Sequence, residues 1–451
     1  MTSALRPTAA RAWKARRLGL LTAFFVAAVG IPMFFRLDGT LYRGSLDSES
    51  TFLPLGMITT LGFLVVNYRR LISMNWTLLH LLCFTLLLYT LLLFLFGIFF
   101  TIYTGDSSLV IVFLVPIILG VFFGSVLEGE RKGERALDLI SAIFAMVAVG
   151  HVITSVVETG IAGTFLGYSR GSDSVAGLFT IHQRLIYVPL VMAYCLVWTL
   201  FISRLKLSTK FLVAAPLLLD IVIDAAREPF LTIVVMVALL TWVWTLEKSA
   251  IARRKIRIVV GVFLTLCLAA AVSASVLADT YVIKKFVNIG GGSLDDLTGD
   301  RSQKISDFLG DIRDHPLFGQ LMQFSTDSRL TPHNQFVEAL LRGGIFFLIA
   351  LSAPIAWVMV VTIRRLLRVR KLEPVVQMAL VLSVTFFFVN WNINTPFRSP
   401  FCMIYVGMVF GMASTHQAAW RRAPARGRQG RPRPWSGGGP VAAGARRAHW
   451  T

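Results

Sequence analysis

Long apolar runs recur along most of this 451-residue chain and constrain its fold more than any other feature. A membrane hydrocarbon core about 30 Å thick is crossed by about twenty apolar residues in helical form. Runs near that length follow one another between Leu18 and Met412, and they are continuously apolar. The alternating pattern of a membrane β-strand is missing from them. Charged residues make up 15% of the chain, against about 25% in soluble domains. The sequence therefore predicts an all-α, polytopic transmembrane helical bundle.

About twelve spans can be assigned from these runs. They lie at about 18–35, 52–67, 76–103, 108–126, 136–157, 186–203, 209–225, 230–246, 258–278, 337–361, 375–393 and 399–415. The predicted organisation is a basic N-terminal tail, nine spans, a long loop, three further spans and a basic C-terminal tail. These parts cover residues 1–17, 18–278, 279–335, 336–415 and 416–451.

Basic residues fall on alternate loops, which predicts the orientation of the spans. Most of the 44 Lys and Arg lie in the two tails and in every second loop, such as Lys248–Arg257 and Arg364–Lys371. Cytoplasmic loops carry such an excess, so both termini are predicted to be cytoplasmic. The net charge of +20 is concentrated there. The tail Arg421–Thr451 has the composition of a disordered segment that contacts anionic membrane lipid. It lacks the aromatic platform of a nucleic-acid site.

Cysteine usage supports neither a disulfide framework nor a metal centre. All four cysteines fall inside apolar runs and none has CxxC spacing. Buried small side chains are the ordinary role of such cysteines.

The loop 279–335 is long for a compact bundle, and loops of that length are usually functional. Within it, four apolar residues recur at helical spacing, which predicts an amphipathic helix over 302–314. They are Ile305, Phe308, Leu309 and Ile312, and Asp307, Asp311 and Asp314 lie on the opposite face. The helix is predicted to stop near His315-Pro316. A surface helix and a small soluble subdomain are both compatible with this pattern, and both place Arg301 near the membrane plane.

Five polar residues of the outer loops are candidates for a binding or catalytic site: Arg227, Arg301, His333, Asn334 and Arg398. Arginines stay charged and bind phosphate groups in bidentate fashion, and a neutral His can accept a proton.

The position of His333 and Asn334 adds to this interpretation. They follow Thr331-Pro332, which predicts a helix N-cap with proline in the first turn and so places both residues at a helix start that favours an anion. Each candidate also has a structural alternative. Arg227 could pair with Glu228, and a single His is more often structural than catalytic.

Three sequence elements together resemble the O-antigen ligase/polymerase family over about residues 140–412. The string PHNQFVEALLRGG at Pro332–Gly344 is similar to that family's His-Asn…Leu…Gly signature. Arg301 followed by HPLFG at His315–Gly319 resembles its Arg and Pro-Leu-hydrophobic-Gly element. The segment Ala226–Leu231 is similar to its Ser-Arg-Gly turn, although Ala226 and Glu228 replace the usual Ser and Gly. A Pro-Asn pair of the family reads Thr180–Arg184 here, so His182 and Arg184 are further candidates for substrate binding.

The resemblance implies an integral-membrane glycosyltransferase of the C-type architecture in the bacterial inner membrane, with its active site facing the periplasm. Its donor would be a glycan on undecaprenyl diphosphate. Its acceptor would be lipid A-core in a ligase, or another lipid-linked glycan in a polymerase of O-antigen or exopolysaccharide. No metal or other cofactor is implied. Arg227 and Arg301 would bind the diphosphate, His333 would be the base, and Gly343-Gly344 would allow close helix packing.

A transporter or flippase for lipid-linked sugars is the alternative class. About twelve spans with both termini inside also suit that class. Transporters commonly show repeated halves and ionisable groups near the bilayer midplane. No repeat relates the two halves of this chain, and Asp220 and His151 are the main ionisable residues inside the predicted spans.

Overall fold

The computed structural model describes fourteen stretches or single residues of the chain. They are residues 65, 68, 72, 76–99, 108–127, 130–162, 188–224, 227–247, 250–261, 308–310, 312–320, 334–393, 396 and 400–422. Within them the backbone is helical or forms connections, and no strand occurs. The predicted all-α class is confirmed for this part of the chain. The first predicted span, all of the second except residue 65, most of 258–278, the N-terminal tail and residues 423–451 lie outside the described residues. Residues 416–422, predicted as the start of the C-terminal tail, are helical and continue the last helix.

Most described helices coincide with the predicted apolar runs, but helical backbone also covers residues 130–135, 250–257 and 364–369, which were predicted as basic loops. In chain order they are α1 (Leu78–Phe99), α2 (Ser108–Val126), α3 (Glu130–Ala162), α4 (Val188–Val197), α5 (Leu207–Asp224), α6 (Arg227–Glu247), α7 (250–261), α8 (Gln335–Val369), α9 (Pro374–Thr385) and α10 (Pro400–Arg422). Two of them continue into π-helical turns: α4 into Trp198–Ile202, and α9 into Phe386–Asn390 and then Trp391–Ile393. The run predicted at 108–126 coincides with α2, because an uninterrupted apolar sequence marks both ends of that helix.

Three helices in the described part are long and apolar enough to cross a membrane: Glu228–Glu247, Gln335–Val369 and Pro374–Ile393. Shorter apolar helices span Leu78–Leu93, Pro116–Val126, Pro189–Ile202 and Cys402–Thr415. The membrane character predicted from the sequence therefore has its counterpart in these helices, by length and composition.

Polar contacts fix the direction of α6 relative to α9. Near the start of α6, Glu228 Oε1 accepts a hydrogen bond from Asn390 Nδ2 (3.1 Å). At the end of α6, Glu247 Oε1 accepts one from Gln377 Nε2 (2.8 Å). The two helices are therefore antiparallel. We call the two ends of the bundle the Asn390 end and the Gln377 end.

The hairpin of α8 and α9 shares this orientation. Arg370 is in the left-handed conformation (φ 54°) and ends α8, and Arg365 pairs with Glu373 (2.6 Å) across the short connection. The start of α8 consequently lies at the Asn390 end, close to the end of the α9 continuation.

Glycines bring α2 and α10 into backbone contact. A Cβ atom built on Gly124 would overlap the Met408 carbonyl, and one built on Gly411 would overlap the Val121 carbonyl. Gly120 and Gly407 meet at the same seam. Gly120 meets the Ile404 carbonyl, and Gly124, four residues later, meets the carbonyl of Met408, also four residues later, so the two helices are parallel. Small residues spaced four apart on both helices permit this approach.

A buried histidine ties α1 to the same pair of helices. His80 Nδ1 lies 2.8 Å from Thr77 Oγ1, and His80 Nε2 lies 2.9 Å from Ser125 Oγ. Thr77 Oγ1 in turn lies 2.7 Å from Ser414 Oγ of α10. These contacts satisfy polar groups that would otherwise be costly inside an apolar bundle.

Candidate functional site

A buried polar network stands at the Asn390 end, where the π-helical turn of α9 finishes. Besides Glu228, the Asn390 amide nitrogen donates to Thr232 Oγ1 (2.8 Å). The Asn390 amide oxygen accepts a hydrogen bond from Tyr194 OH (2.9 Å). All four side chains are buried. The side-chain amide of Asn390 therefore joins α4, α6 and the continuation of α9. The π-helical turn ends at this residue, and such turns are frequent at functional sites.

The start of α8 joins this region through Asn334. Its side-chain oxygen accepts hydrogen bonds from the backbone N–H groups of Phe336 (3.0 Å) and Val337 (3.2 Å), so Asn334 is the N-cap of α8. Its amide nitrogen lies 3.4 Å from the Asn392 carbonyl oxygen. Phe336 also packs edge-to-face on the buried Trp391 (ring centroids 5.1 Å apart). Cap, ring contact and hydrogen bond together hold the first turn of α8 against residues 390–392.

This geometry corrects the cap predicted from the sequence. Thr331-Pro332 predicted the N-cap and placed His333 and Asn334 inside the first turn, but α8 begins at Gln335. The Asn side chain is the better acceptor here because it reaches two backbone N–H groups from an extended conformation (φ −144°, ψ 121°). Asn334 therefore has a capping role, and the free N–H groups of the first turn are partly satisfied by it.

The HPLFG element is inserted into a break in α8. Gly344 has a positive φ (70°), which interrupts the helix. The N–H of Ile345, displaced from the helical ladder, donates to the Pro316 carbonyl (2.9 Å), and the Gln320 N–H donates to the Leu341 carbonyl (2.8 Å). Gly319, also at positive φ (58°), faces the backbone of Gly343 and Gly344. The turn 315–320 and the break in α8 thus form one interlocked unit, which we call the turn–helix latch.

The latch also changes the role predicted for Gly343-Gly344. The sequence predicted that these glycines let another helix pack closely. The structure shows that the backbone of the turn approaches them, where a Cβ on Gly344 would overlap Leu317. Helical residues 308–310 and 312–314 precede the turn, so the predicted stop at His315-Pro316 is confirmed. The start of the predicted amphipathic helix lies outside the described residues.

The predicted spans contain buried ionisable side chains beyond the two residues, Asp220 and His151, that were identified from the sequence. Arg342 Nε lies 3.3 Å from Glu338 Oε1 within α8, and both side chains are 6% exposed. Asp220 of α5 is fully buried. Glu228 and Glu338 also fall in the first turns of α6 and α8. Negative charge there complements the partial positive charge of a helix N-terminus, which reduces the cost of burying these carboxylates.

The remaining predicted site residues divide into two groups. The segment Ala226–Leu231 was likened to a turn, but α6 begins at Arg227, so the backbone of Arg227 is helical. The other five predicted site residues lie outside the described residues: His182, Arg184, Arg301, His333 and Arg398. The structure does bring together two chain neighbours of these candidates. Asn334 follows His333 in the chain and contacts Asn392, and Glu228 follows Arg227 and contacts Asn390.

Sequence reasoning missed the Asn390 network and the α2–α10 seam. Asn390 is a single amide within an apolar run, and that isolation was a usable signal because buried amides need partners. Glu228 was noted as a departure at a motif flank and as a possible partner of Arg227, whereas it is an acceptor in the network. The spacings Gly120–Gly124 and Gly407–Gly411 were also visible in the sequence.

No group of three His, Cys, Asp or Glu side chains that could hold a metal ion occurs among the described residues. Comparison with protein-family models and with curated protein sequences finds no match for this chain. The argument for function therefore depends on the residues and on the way in which the helices assemble them.

Proposed function

We propose that the protein is a membrane glycosyltransferase that moves a glycan from undecaprenyl diphosphate to an acceptor at the Asn390 end of the bundle. The acceptor is lipid A-core, which makes it a ligase, or a second lipid-linked glycan, which makes it a polymerase of O-antigen or exopolysaccharide. The inner membrane of a bacterium, with the Asn390 end facing the periplasm, is the corresponding location.

The observation that carries the proposal is the assembly of three distant sequence elements. Glu228 of the element Ala226–Leu231 lies in the first turn of α6 and contacts Asn390. Asn334 of the element Pro332–Gly344 lies beside Asn392, and the last glycine of that element holds the turn of His315–Gly319 in the latch. These are the elements on which the resemblance to the O-antigen ligase/polymerase family rests.

The proposed glycan transfer depends on positively charged side chains held near the leaving diphosphate, and it needs no cofactor. The bond between the sugar anomeric carbon and the phosphate oxygen breaks, and undecaprenyl diphosphate leaves with the electron pair. A new bond forms between the anomeric carbon and an acceptor hydroxyl oxygen, whose proton goes to the base. Arg227 and Arg301 are proposed to stabilise the diphosphate charge, and His333 to accept the proton. His182, Arg184 and Arg398 are proposed as further substrate contacts.

The departure at Glu228 is compatible with this proposal. Its carboxylate accepts a hydrogen bond from Asn390 and is buried, so it holds the first turn of α6 in the bundle. Arg227 is its chain neighbour. Replacing the small residue of the family pattern by Glu therefore adds a contact within the protein.

The test uses purified protein in lipid with an undecaprenyl-diphosphate-linked glycan and no added metal. Release of undecaprenyl diphosphate is followed for the wild type, Arg301→Ala and His333→Ala. The chain offers a matched control in Arg313→Ala, because Arg313 is exposed in the same loop and lies outside the three elements. We expect the first two substitutions to lower the rate by about 10²-fold or more and the control to change it less than about threefold.

The product distinguishes the two acceptors. A lengthened lipid-linked glycan identifies a polymerase, whereas release only in the presence of lipid A-core identifies a ligase. Absence of release with either acceptor, together with movement of the intact lipid-linked glycan across the bilayer, would replace the proposal with the transporter. Equal activity of Arg301→Ala and Arg313→Ala would remove Arg301 from the site.

A further inference from the structure

The end of the α9 continuation has an exposed face as well as the buried face that carries Asn390. Phe388 is 56% exposed, whereas Asn390 and Trp391 are fully buried. Asn392 follows Phe388 by four residues and is also exposed. This spacing places the two side chains on one face of the helix, and the Asn392 amide nitrogen donates to the Phe388 carbonyl (2.9 Å). A phenyl ring and an amide therefore stand side by side at the surface of the Asn390 end.

The N-cap of α8 adds a second amide to this surface. Asn334 Nδ2 lies 3.4 Å from the Asn392 carbonyl oxygen, and the Asn334 side-chain oxygen accepts from two backbone N–H groups of α8. The Asn334 side chain is half-buried. Its amide is therefore held in place by contacts on both sides, next to the chain at Asn392.

Neighbouring aromatic rings fix the orientation of the Phe388 ring. The rings of Phe387 and Phe388 meet edge to face, with centroids 5.1 Å apart and planes at 88°. Phe387 in turn packs edge to face on Phe336 of α8, with centroids 5.3 Å apart. Aromatic pairs prefer this arrangement because of the charge distribution of the rings. The Phe388 ring is thus supported by two others while more than half of the residue stays exposed.

An exposed ring beside two amides matches the two kinds of surface on a pyranose sugar. The face of a phenyl ring carries partial negative charge and attracts the C–H groups on one side of a sugar ring. An Asn amide both donates and accepts hydrogen bonds, as sugar hydroxyl groups do. Binding sites for small molecules commonly combine aromatic surface with a few such polar groups. Phe388, Asn392 and Asn334 are neutral, which favours an uncharged sugar over an acidic one.

Membrane lipid is a poorer match for this surface. A side-chain amide that faces hydrocarbon costs free energy, and Asn392 is exposed one turn from Phe388. The surface also adjoins Asn334, which follows the proposed base His333 in the chain. A sugar bound here therefore lies beside the elements proposed for glycan transfer.

We propose that Phe388, Asn392 and Asn334 form a subsite for one uncharged pyranose unit of the glycan. The ring of Phe388 stacks on the C–H face of the sugar, and the two amides form hydrogen bonds with its hydroxyl groups. The inference rests on the proposed function for the identity of the ligand. These side chains hold the glycan and take no part in breaking its bond to the diphosphate, so their loss weakens binding and leaves the reaction of the bound donor nearly unchanged.

The test measures binding of the free oligosaccharide, cleaved from the lipid-linked donor, to the purified full-length protein by saturation-transfer NMR. Phe388→Leu keeps the side chain apolar and removes the ring, whereas Phe388→Trp keeps a ring. Asn392→Ala removes one amide. The matched control is Phe84→Leu on α1, since Phe84 is 52% exposed. Binding requires no turnover, so its result is separate from that of the release assay.

We expect Phe388→Leu and Asn392→Ala to bind the oligosaccharide about fivefold or more weakly. Phe388→Trp and Phe84→Leu should stay within about twofold of the wild type. In the release assay, Phe388→Leu should raise KM with kcat nearly unchanged. Wild-type affinity in Phe388→Leu, an equal loss in Phe84→Leu, or absence of binding by the wild type would each overturn the subsite. Ring-dependent binding without release of undecaprenyl diphosphate would support the subsite and overturn the transferase.

Discussion

At the scale of single residues, the Asn390 amide determines how three helices meet. It uses both its nitrogen and its oxygen, with Glu228, Thr232 and Tyr194 as partners. A buried carboxylate and a buried hydroxyl depend on it, so its removal costs more than the hydrogen bonds themselves are worth.

We therefore predict that Asn390→Leu destabilises the protein by about 1–3 kcal/mol, because Glu228 and Tyr194 lose a partner inside the bundle. Thermal or denaturant unfolding in detergent measures the change. Asn392→Ala is the control, since Asn392 is exposed and its side chain contacts only the Phe388 carbonyl among the described contacts. A control as destabilised as Asn390→Leu would contradict the assigned role of the network.

At the scale of helices, glycine allows close backbone contact at two places, the α2–α10 seam and the turn–helix latch, which differ in what they require of the glycine. The α2–α10 seam joins regular helices through small residues. The turn–helix latch joins a loop to a broken helix, and its glycines are needed for conformation as well as for space.

For the seam, Gly124→Ala and Gly411→Ala are each expected to destabilise the protein by about 1–3 kcal/mol, because the added methyl meets a backbone carbonyl that side-chain movement cannot relieve. Gly261→Ala is the control: nothing lies within 4 Å of its Cβ position. In a helix that change should be neutral or slightly stabilising. Unfolding in detergent distinguishes the variants, and a neutral Gly124→Ala would show that the helices do not touch here.

For the latch, Gly344→Ala should both destabilise the protein, by about 1–3 kcal/mol, and release the turn 315–320. The alanine is strained at positive φ and its methyl meets the Leu317 backbone. Limited proteolysis at the exposed Arg313 should accelerate relative to the wild type. Gly310→Ala, with open space around its Cβ position, should leave the cleavage rate unchanged. Equal cleavage of all three proteins would refute the latch.

At the scale of the whole molecule, the bundle has two distinct ends. The Asn390 end gathers the elements proposed for glycan transfer, and the Gln377 end lies opposite it. The positive loops predict that the Gln377 end faces the cytoplasm.

Cysteine labelling tests this orientation. In a Cys267→Ala background, Arg313→Cys should react with a membrane-impermeant maleimide from outside the cytoplasmic membrane, and Arg253→Cys only after permeabilisation. The cysteines of the described residues, Cys83, Cys195 and Cys402, are buried and should give little background. Labelling of both positions from the same side would contradict the predicted topology.

The sequence by itself determined the helical class, the membrane character and most helix bounds. Those properties follow from local hydrophobicity and helix length, which each segment carries in its own residues. It also placed the stop at His315-Pro316, because proline restricts the backbone locally.

Only the tertiary structure decided which segments meet. The cap at Asn334, the insertion of the turn at Gly344 and the partners of Asn390 each join residues that are distant in the chain or compete with a local alternative. Thr331-Pro332 is a plausible cap by local rules, yet Asn334 takes that role beside residues 390–392, where Phe336 packs on Trp391. Contacts of this kind depend on the packing of whole helices, and hydrophobic periodicity carries no information about partners.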